Sequence, residues 1–580
     1  MTAPVTAAAE YQRRLGRQQR VLEQRQRLDL RLGLAKLATV AAWLALAWLS
    51  LLRHLFATVW LWLPLAVLLA LFWWHDRVIR DRRRAERLTA YYERGLARLE
   101  DRWAGTGDAG ERFRDPQHPY ASDLDLFGAG SLFELISTAR TSMGQECLAQ
   151  WMLAPALPEV VRRRQAQAEA LRGQLDLRAA VASLGEDLNQ GVRPERLRAW
   201  AQAPASLRRL GLRWAYASLS AAAVAALVYG LMSGQYIYLF LLVLAEVLVL
   251  FQQGGRLEPV LSERGATSAG LSLFAGVVAR LPEPPPVAAA ALRSLAHLSD
   301  WIEAKDSLLG KGLDFTLLYS VHLAYAAEAW RRRYGPCVAA WLQAVGEFEA
   351  LLSLANFAYE HPGDPFAEIE EDGEPHFDGD ELGHPLLAAA TCVRNSVALN
   401  AETRVLLISG SNMSGKSTLL RTVGINAVLA QMGAPVRARR LRLSPLALGT
   451  RLRTSDSLQL GRSGFYAEIM RLRQVFDLTH GGLPLLFLFD ELMEGTNSHD
   501  RVVGGQGLLR ALLVRRTLGI ITTHDLALTA VTGRDSGVVR NLHFEDQIEG
   551  DDVRFDHSLR PGVVQKSNAL ALMRIIGLDV

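Results

Sequence analysis

The sequence predicts a mixed chain. It has an α/β nucleotide-binding domain of the P-loop NTPase class at the C-terminal end, an all-α region before it, and four membrane-crossing helices in two hairpins. Three observations predict this. The run LLISGSNMSGKSTLLR, residues 406–421, reads as a strand, a glycine-rich turn and a helix. Two more continuous apolar strands follow, LPLLFLFDE (483–491) and LGIITTHD (518–525). Near the start lie two apolar runs, each of about 19 or 20 residues, enough for a helix to cross ~30 Å of hydrocarbon.

Length and composition set the frame. A chain of 580 residues is too long for one ordinary core, so several domains are expected. Half the residues are apolar, high for a soluble protein and low for a pure membrane bundle. A net charge of +4 does not by itself imply nucleic acid. Cys147, Cys337 and Cys392 are far apart and have no metal-ligand spacing, so a reducing compartment fits. The first 33 residues are polar and arginine-rich, and no cleaved leader is expected.

The first hairpin is read as residues 34–74, with Arg53 and His54 between its two runs. Trp43, Trp48, Trp60, Trp62, Trp73 and Trp74 supply aromatic anchors for the interfaces. Arginines crowd both flanks, from Arg13 to Arg31 before it and from Arg77 to Arg87 after it. Both ends are therefore expected in the cytoplasm. A second hairpin, 206–252, pairs Trp214–Met232 with Tyr236–Phe251, with Arg208, Arg209 and Arg213 before it and Arg256 after. Glu246 lies inside its last run. A carboxylate there is either functional, close to an interface or turned toward a helix partner. Four crossings predict a multi-pass protein of the inner (plasma) membrane, in contact with lipid, with all else cytoplasmic.

Residues 75–205 and 253–362 show apolar positions at i, i+3 and i+4, the helical period. LPEPPP (281–286) breaks the second segment. The acidic, turn-rich stretch 363–382 is expected as a linker, and 383–580 as the nucleotide domain.

The motif Gly410-Ser411-Asn412-Met413-Ser414-Gly415-Lys416-Ser417 fits G-x-x-x-x-G-K-[ST] with a strand before it and a helix after. With Thr418, these residues are expected to bind ATP. Backbone N–H groups and the helix N-terminus face the phosphates, and Lys416 reaches the β- and γ-phosphates. Ser417 and Asp490 are expected to hold Mg²⁺. Glu491 follows on the same strand end, placed to orient or deprotonate water. His524 ends the third strand, where a γ-phosphate sensor would stand.

GSNMSGKSTLLR, DELMEGTNSHD (490–500) and ITTHD (521–525) stand in the order and spacing that resembles the MutS family of ATPases. LGRSGFYAEIMRLRQV (460–475) resembles that family's signature loop. GHPLL (383–387) is similar to its entry into the ATPase domain and LRPGVVQKSNALALMRIIGL (559–578) to its closing segment. Residues 123–153 and 342–359 resemble the two ends of its core and lever region. The resemblance implies a homodimer with composite ATP sites, in which Ser463 and Gly464 of the signature loop reach the opposite subunit's nucleotide. It also implies DNA as a partner, though no DNA-binding residue can be named. The mismatch-detecting members carry an N-terminal Phe-x-Glu wedge. Here the N-terminus is arginine and apolar helix, and the lone Phe366-Ala-Glu368 lies beside the ATPase domain, so no wedge is expected. Arg501 stands where the family usually has glycine.

Two functions follow. The first is a membrane-anchored MutS-like ATPase that binds DNA, mismatched or branched, and moves its levers with ATP. The second is a membrane signalling or transport ATPase with no nucleic acid. The exporter-like GGQ at 504–506 falls after the acidic strand instead of before it, which disfavours transport.

Overall fold

The computed structural model describes residues 6–51, 57–207, 211–262, 264–305, 307–411, 414–452, 464–493, 497–524, 537–549 and 552–564. Helix dominates as far as residue 360. The helices are α1 (Ala7–Leu51), α2 (Trp62–Leu99), α3 (Leu132–Ile136), α4 (Ser142–Leu153), α5 (Pro158–Arg172), α6 (Leu175–Gly191) and α7 (Pro194–Gln202). Then come α8 (Leu212–Ser233), α9 (Ile237–Ser262), α10 (Ser268–Val278), α11 (Ala288–Ala304), α12 (Leu308–Leu317) and α13 (Tyr319–Glu360). Local chemistry sets several boundaries. Proline stands at the first turn of α5 and α7, where its missing N–H costs nothing. The Ser131 and Thr267 side chains cap α3 and α10 by accepting from Glu134 N and Gly270 N.

The chain divides into two units. One comprises residues 139–147 and 179–350, and is helical throughout. It contains the α8/α9 pair and the α10/α11 pair, with Leu271, Phe274, Leu292 and Leu295 buried in the latter. Glu246 of α9 is fully buried.

The other unit comprises residues 1–138, 148–178 and 351–580. Its first two helices form a long antiparallel pair. The basic N-terminal segment and the first apolar run are one continuous helix, α1. Arg53 and His54 lie outside the described residues. Lys36 and Arg77 lay their charges over the rings of Phe72 and Trp73, at 4.6 and 4.3 Å. At the far end of the pair the interior turns polar. Glu360, at the end of α13, accepts from Arg98 Nε and Nη2 (both 2.6 Å), Tyr11 Oη (3.0 Å) and Asn356 Nδ2 (2.8 Å). Tyr91 Oη donates to Asn356 Oδ1 at 2.9 Å. Three segments far apart in sequence are thus tied by one buried network.

Five helical spans are long and apolar enough to cross a membrane, among the described residues. In the span of α13, 67 % of the most apolar window is buried in protein, which makes it a core helix. In those of α1, α2, α8 and α9 the shares are 6, 6, 22 and 6 %. Leu37, Trp62, Leu69, Leu231 and Phe251 stand bare there.

Two sheets complete the same unit. The smaller joins β1 (Glu368–Ile369), β2 (Phe377–Leu382), β3 (Asn395–Leu399) and β5 (Arg440–Leu443) in the order β1-β5-β2-β3. The larger adds β4 (Val405–Ser409), β6 (Ala447–Arg451), β7 (Leu485–Phe489), β8 (Thr517–Thr523), β9 (Val539–Glu549) and β10 (Asp552–Pro561), in the order β10-β9-β4-β8-β7-β6. The acidic stretch 363–382, expected as a linker, is instead built into the small sheet. Its carboxylates find guanidinium partners: Asp364 with Arg437, Asp378 with Arg440, Asp380 with Arg439 and Glu370 with Arg442. Cross-strand pairing of opposite charge turns a composition typical of a loop into strand. Phe366 bridges Pro435 in this region.

Strands β4, β7 and β8 are buried at every position, as a parallel sheet covered on both faces requires. Gly519 on β8 is needed for packing, because a Cβ there would lie 2.2 Å from the Phe487 ring. Helix α14 (Lys416–Met432) follows β4, touches strands of both sheets, and ends at Gly433 with φ +89°. The last helices are α15 (Gly464–Asp477) and α16 (Ser498–Leu513), the latter capped by Asn497 accepting from Asp500 N.

Candidate nucleotide site

The three central strands of the large sheet run parallel, in the order β4-β8-β7, so their carboxyl ends lie side by side. Each ends in one of the sequence-selected groups. The loop Gly410–Gly415 follows β4, Asp490 and Glu491 follow β7, and His524 follows β8. Ligand sites in open α/β sheets form at this edge.

A cavity of about 550 Å³ opens there, lined by Gly415, Lys416, Ser417, Thr418, Asp490 and Glu491 among others. Its size suits a nucleotide. Lys416 is buried, and its Nζ donates to the carbonyls of Gly410 (2.8 Å) and Ser411 (2.6 Å) across the loop. Gly415 has φ +107°, a conformation open to glycine at little cost. A Cβ at Gly410 would lie 2.9 Å from Ser414 Oγ. That hydroxyl is buried and has no hydrogen-bond partner among the described residues. A loop curled this tightly, with an orphaned buried hydroxyl, fits a phosphate group as its missing partner. Asn412, Met413 and Ser463 lie outside the described residues, and Gly464 opens α15.

The acidic pair is held with care. Thr522 Oγ1 donates to Asp490 Oδ1 and accepts from Glu491 N (3.2 Å), fixing β7 against β8. Glu491 has φ +48° and Met493 φ +60°, a strained region for side-chain-bearing residues. Two neighbours sustain that turn. Arg451, buried at the end of β6, donates to the Asp490 and Glu491 carbonyls and pairs with Glu468 at 3.1 Å. Glu468 in turn accepts from Met493 N at 2.7 Å. His524 Nδ1 stands 3.7 Å from Glu491 Oε1.

On the cavity's other wall, burial pushes the His384 imidazole down to about 4, and the Arg421 charge adds to the shift. The ring is therefore neutral at pH 7. His557 of β10 closes the loop side, its Nδ1 3.0 Å from the Ser414 carbonyl.

Residues 406–579 match the family model of MutS domain V. The Endonuclease MutS2 of Thermus thermophilus is 37 % identical over 196 residues, 34 % of this chain and 25 % of that protein. The DNA mismatch repair protein MutS of Geobacillus thermodenitrificans is 28 % identical over 302 residues, 50 % of this chain and 32 % of its own length. That of Streptococcus pneumoniae (strain G54) is 32 % identical over 197 residues, 33 % and 23 %. Over these stretches the chain is similar to MutS domain V and to MutS and MutS2 proteins. The chain spans a third or less of the length of these curated relatives.

The MutS-type domain holds one residue that the motifs had marked as a departure. Arg501 at the start of α16 donates from Nη1 to His524 Nε2 (3.4 Å) and from Nε to the Met493 carbonyl (3.2 Å). An Nε2 that accepts leaves the ring proton on Nδ1, facing Glu491. Arg451, Glu468, Thr522 and His557 were not singled out from the sequence. Each acts on the site from a different strand or helix, and no local spacing marks them.

Proposed function

We propose that the chain is a Mg²⁺-dependent ATPase of the MutS type, dimeric, held to the inner membrane by its two apolar hairpins, and acting on DNA. One observation carries the ATPase reading: a single cavity gathers Lys416, Ser417, Thr418, Asp490 and Glu491 from two strand ends. The loop N–H groups and Lys416 would bind the phosphates of ATP. Ser417 and Asp490 offer only oxygen donors, the type Mg²⁺ takes, and the ion when bound would offset phosphate charge. Glu491 is the group to orient the attacking water, and His524, its Nδ1 proton aimed at Glu491, is the group to hold it. Ser463 and Gly464 are assigned to the partner subunit's nucleotide by family likeness.

The membrane reading rests on the bare apolar surface of α1, α2, α8 and α9 and on their arginine flanks. In its own unit, the buried network of Glu360, Arg98 and Tyr11 ties the first hairpin to the last turn of α13, eight residues before β1. Closure of the nucleotide domain would pull on that hairpin. The DNA reading rests on what the relatives are called, two mismatch repair proteins and an endonuclease.

Purified full-length protein in detergent tests this. Lys416→Ala should abolish ATP turnover, and Glu491→Gln should keep ATP binding while slowing hydrolysis by roughly 10²–10⁴-fold. Unchanged turnover in either variant overturns the site. Binding to homoduplex, mismatched and branched DNA, with and without ATP, should weaken log-linearly with salt. Intact ATPase without binding to any of the three would leave a membrane signalling ATPase.

A further inference from the structure

In the helical unit 139–147 and 179–350, the loops that precede α7 and α10 are stitched together. Val192 and Ala266 form an antiparallel bridge. Arg193 N donates to the Gly265 carbonyl (2.7 Å), and Thr267 N to that of Gly191 (2.8 Å). Gly265 sits at φ +64°, and a Cβ there would meet Arg196 Cβ at 2.4 Å, so the approach requires glycine.

The stitched loops wall a cavity of about 860 Å³. Arg193, Arg196, Arg264 and Arg331 line it, and no acidic residue does, among the described residues. Arg193 and Arg196 are exposed and make no ion pair within the described chain. Arg331 is the opposite case. It is only 4 % exposed, anchored by Glu328 (3.2 Å) and the Ala203 carbonyl (2.6 Å), and laid over Trp200. Its Nε is buried with no hydrogen-bond partner among the described residues. Glu328 also faces Arg332 at 3.5 Å, so the positive charge on this wall is not cancelled. Two helix N-termini add to the field, since Arg193 N-caps α7 and Thr267 N-caps α10, and both line the cavity. Glu195, in the first turn of α7, is not part of the lining, and Glu263, between the lining residues Ser262 and Arg264, lies outside the described residues.

Like charges gathered around a concavity repel one another and lose hydration, and a bound anion relieves both costs. Guanidinium forks and helix N-termini share one preferred ligand, the phosphate group. We propose that this cavity binds a phosphate-bearing ligand with at least two negative charges. The site is separate from the nucleotide cavity and does not depend on the ATPase reading. A walled cavity admits one head group, whereas a duplex backbone needs an open run of cations. Two sources share the chemistry, a soluble phosphorylated compound and an anionic lipid. Pro259 and Ser262 of α9 also line the cavity. They lie eight and eleven residues past Phe251, the last strongly exposed apolar residue of α9. That spacing is ~12–16 Å along the helix, within reach of head groups if α9 spans a bilayer.

The test uses full-length protein carrying Lys416→Ala, so that the nucleotide loop does not report. Inorganic pyrophosphate and dihexanoyl phosphatidic acid are titrated separately, with dihexanoyl phosphatidylcholine as control, and the thermal midpoint and Kd are read. At least one of the two anionic probes should bind and raise the midpoint. Arg193→Ala/Arg196→Ala should weaken it at least tenfold, and Arg193→Lys/Arg196→Lys should restore most of the loss. Pyrophosphate alone identifies a soluble ligand, and phosphatidic acid alone a lipid. Binding of neither probe, binding of phosphatidylcholine equal to phosphatidic acid, or equal binding by the alanine variant overturns the proposal.

Discussion

Arg501 occupies a position where glycine is usual among MutS-like sequences, and it holds the His524 ring and the Met493 carbonyl at once. Removing it frees the tautomer of His524 and loosens the strained turn that carries Glu491. An exposed hydrogen bond of this kind contributes about 0.5–1.5 kcal/mol, which corresponds to roughly two- to tenfold in rate. Arg501→Gly should therefore lower kcat for ATP by that factor with little change in KM; steady-state kinetics will show it. His384 makes a second prediction at this scale. Its folded pKa, about 4, lies below the ordinary value of 6.5. Between these values the unfolded chain binds the proton and the folded chain does not, so stability rises with pH. The contribution is complete above about pH 6.5 and falls away by up to about 3 kcal/mol as pH drops toward 4. Thermal melts from pH 7 to 4.5 should show a steeper loss in the native chain than in His384→Gln.

At the scale of elements, the Glu360 network fastens α1 and α2 to α13. Both charges are shut from water, and the carboxylate of Glu360 has four donors. Arg98→Met leaves that carboxylate buried and unpaired, a loss of about 3–5 kcal/mol. The double change Arg98→Met/Glu360→Met should recover much of it, and denaturation midpoints of the three proteins will decide. The nucleotide strands were legible from sequence because residues 405–409, 485–489 and 517–523 are buried on both faces and so read as apolar runs. The small sheet was not, because its strands are held by ion pairs between residues 62 and 72 positions apart. Asp378 and Arg440, or Glu370 and Arg442, look like loop charges until they are brought together.

For the molecule as a whole, bare apolar helices in both units are the dominant feature. A soluble chain would have to hide Trp62, Leu69, Leu231 and Phe251. The protein should stay in the membrane pellet through an alkaline carbonate wash, and its release into the supernatant would remove the anchor from the proposed function. Among the site residues, Lys416, Ser417, Asp490, Glu491 and His524 stood out because a phosphate loop and strand-end acids need fixed spacing within short segments. Arg451, Glu468, Thr522 and His557 did not, since each meets the site from another element.

The sequence alone determined which chemistry is present: a glycine turn between strand and helix, an acidic pair ending a buried strand, and long apolar helical runs. Such features are local, set by backbone freedom and hydrophobic period over a few residues. Only the tertiary structure decided that the acidic stretch 363–382 supplies two strands, Glu368–Ile369 and Phe377–Leu382, and which side chains hold Glu491 in its strained turn. It alone gathered four arginines from three separate segments around one cavity. These outcomes depend on groups meeting across tens to hundreds of residues, where burial, not spacing, selects the partner.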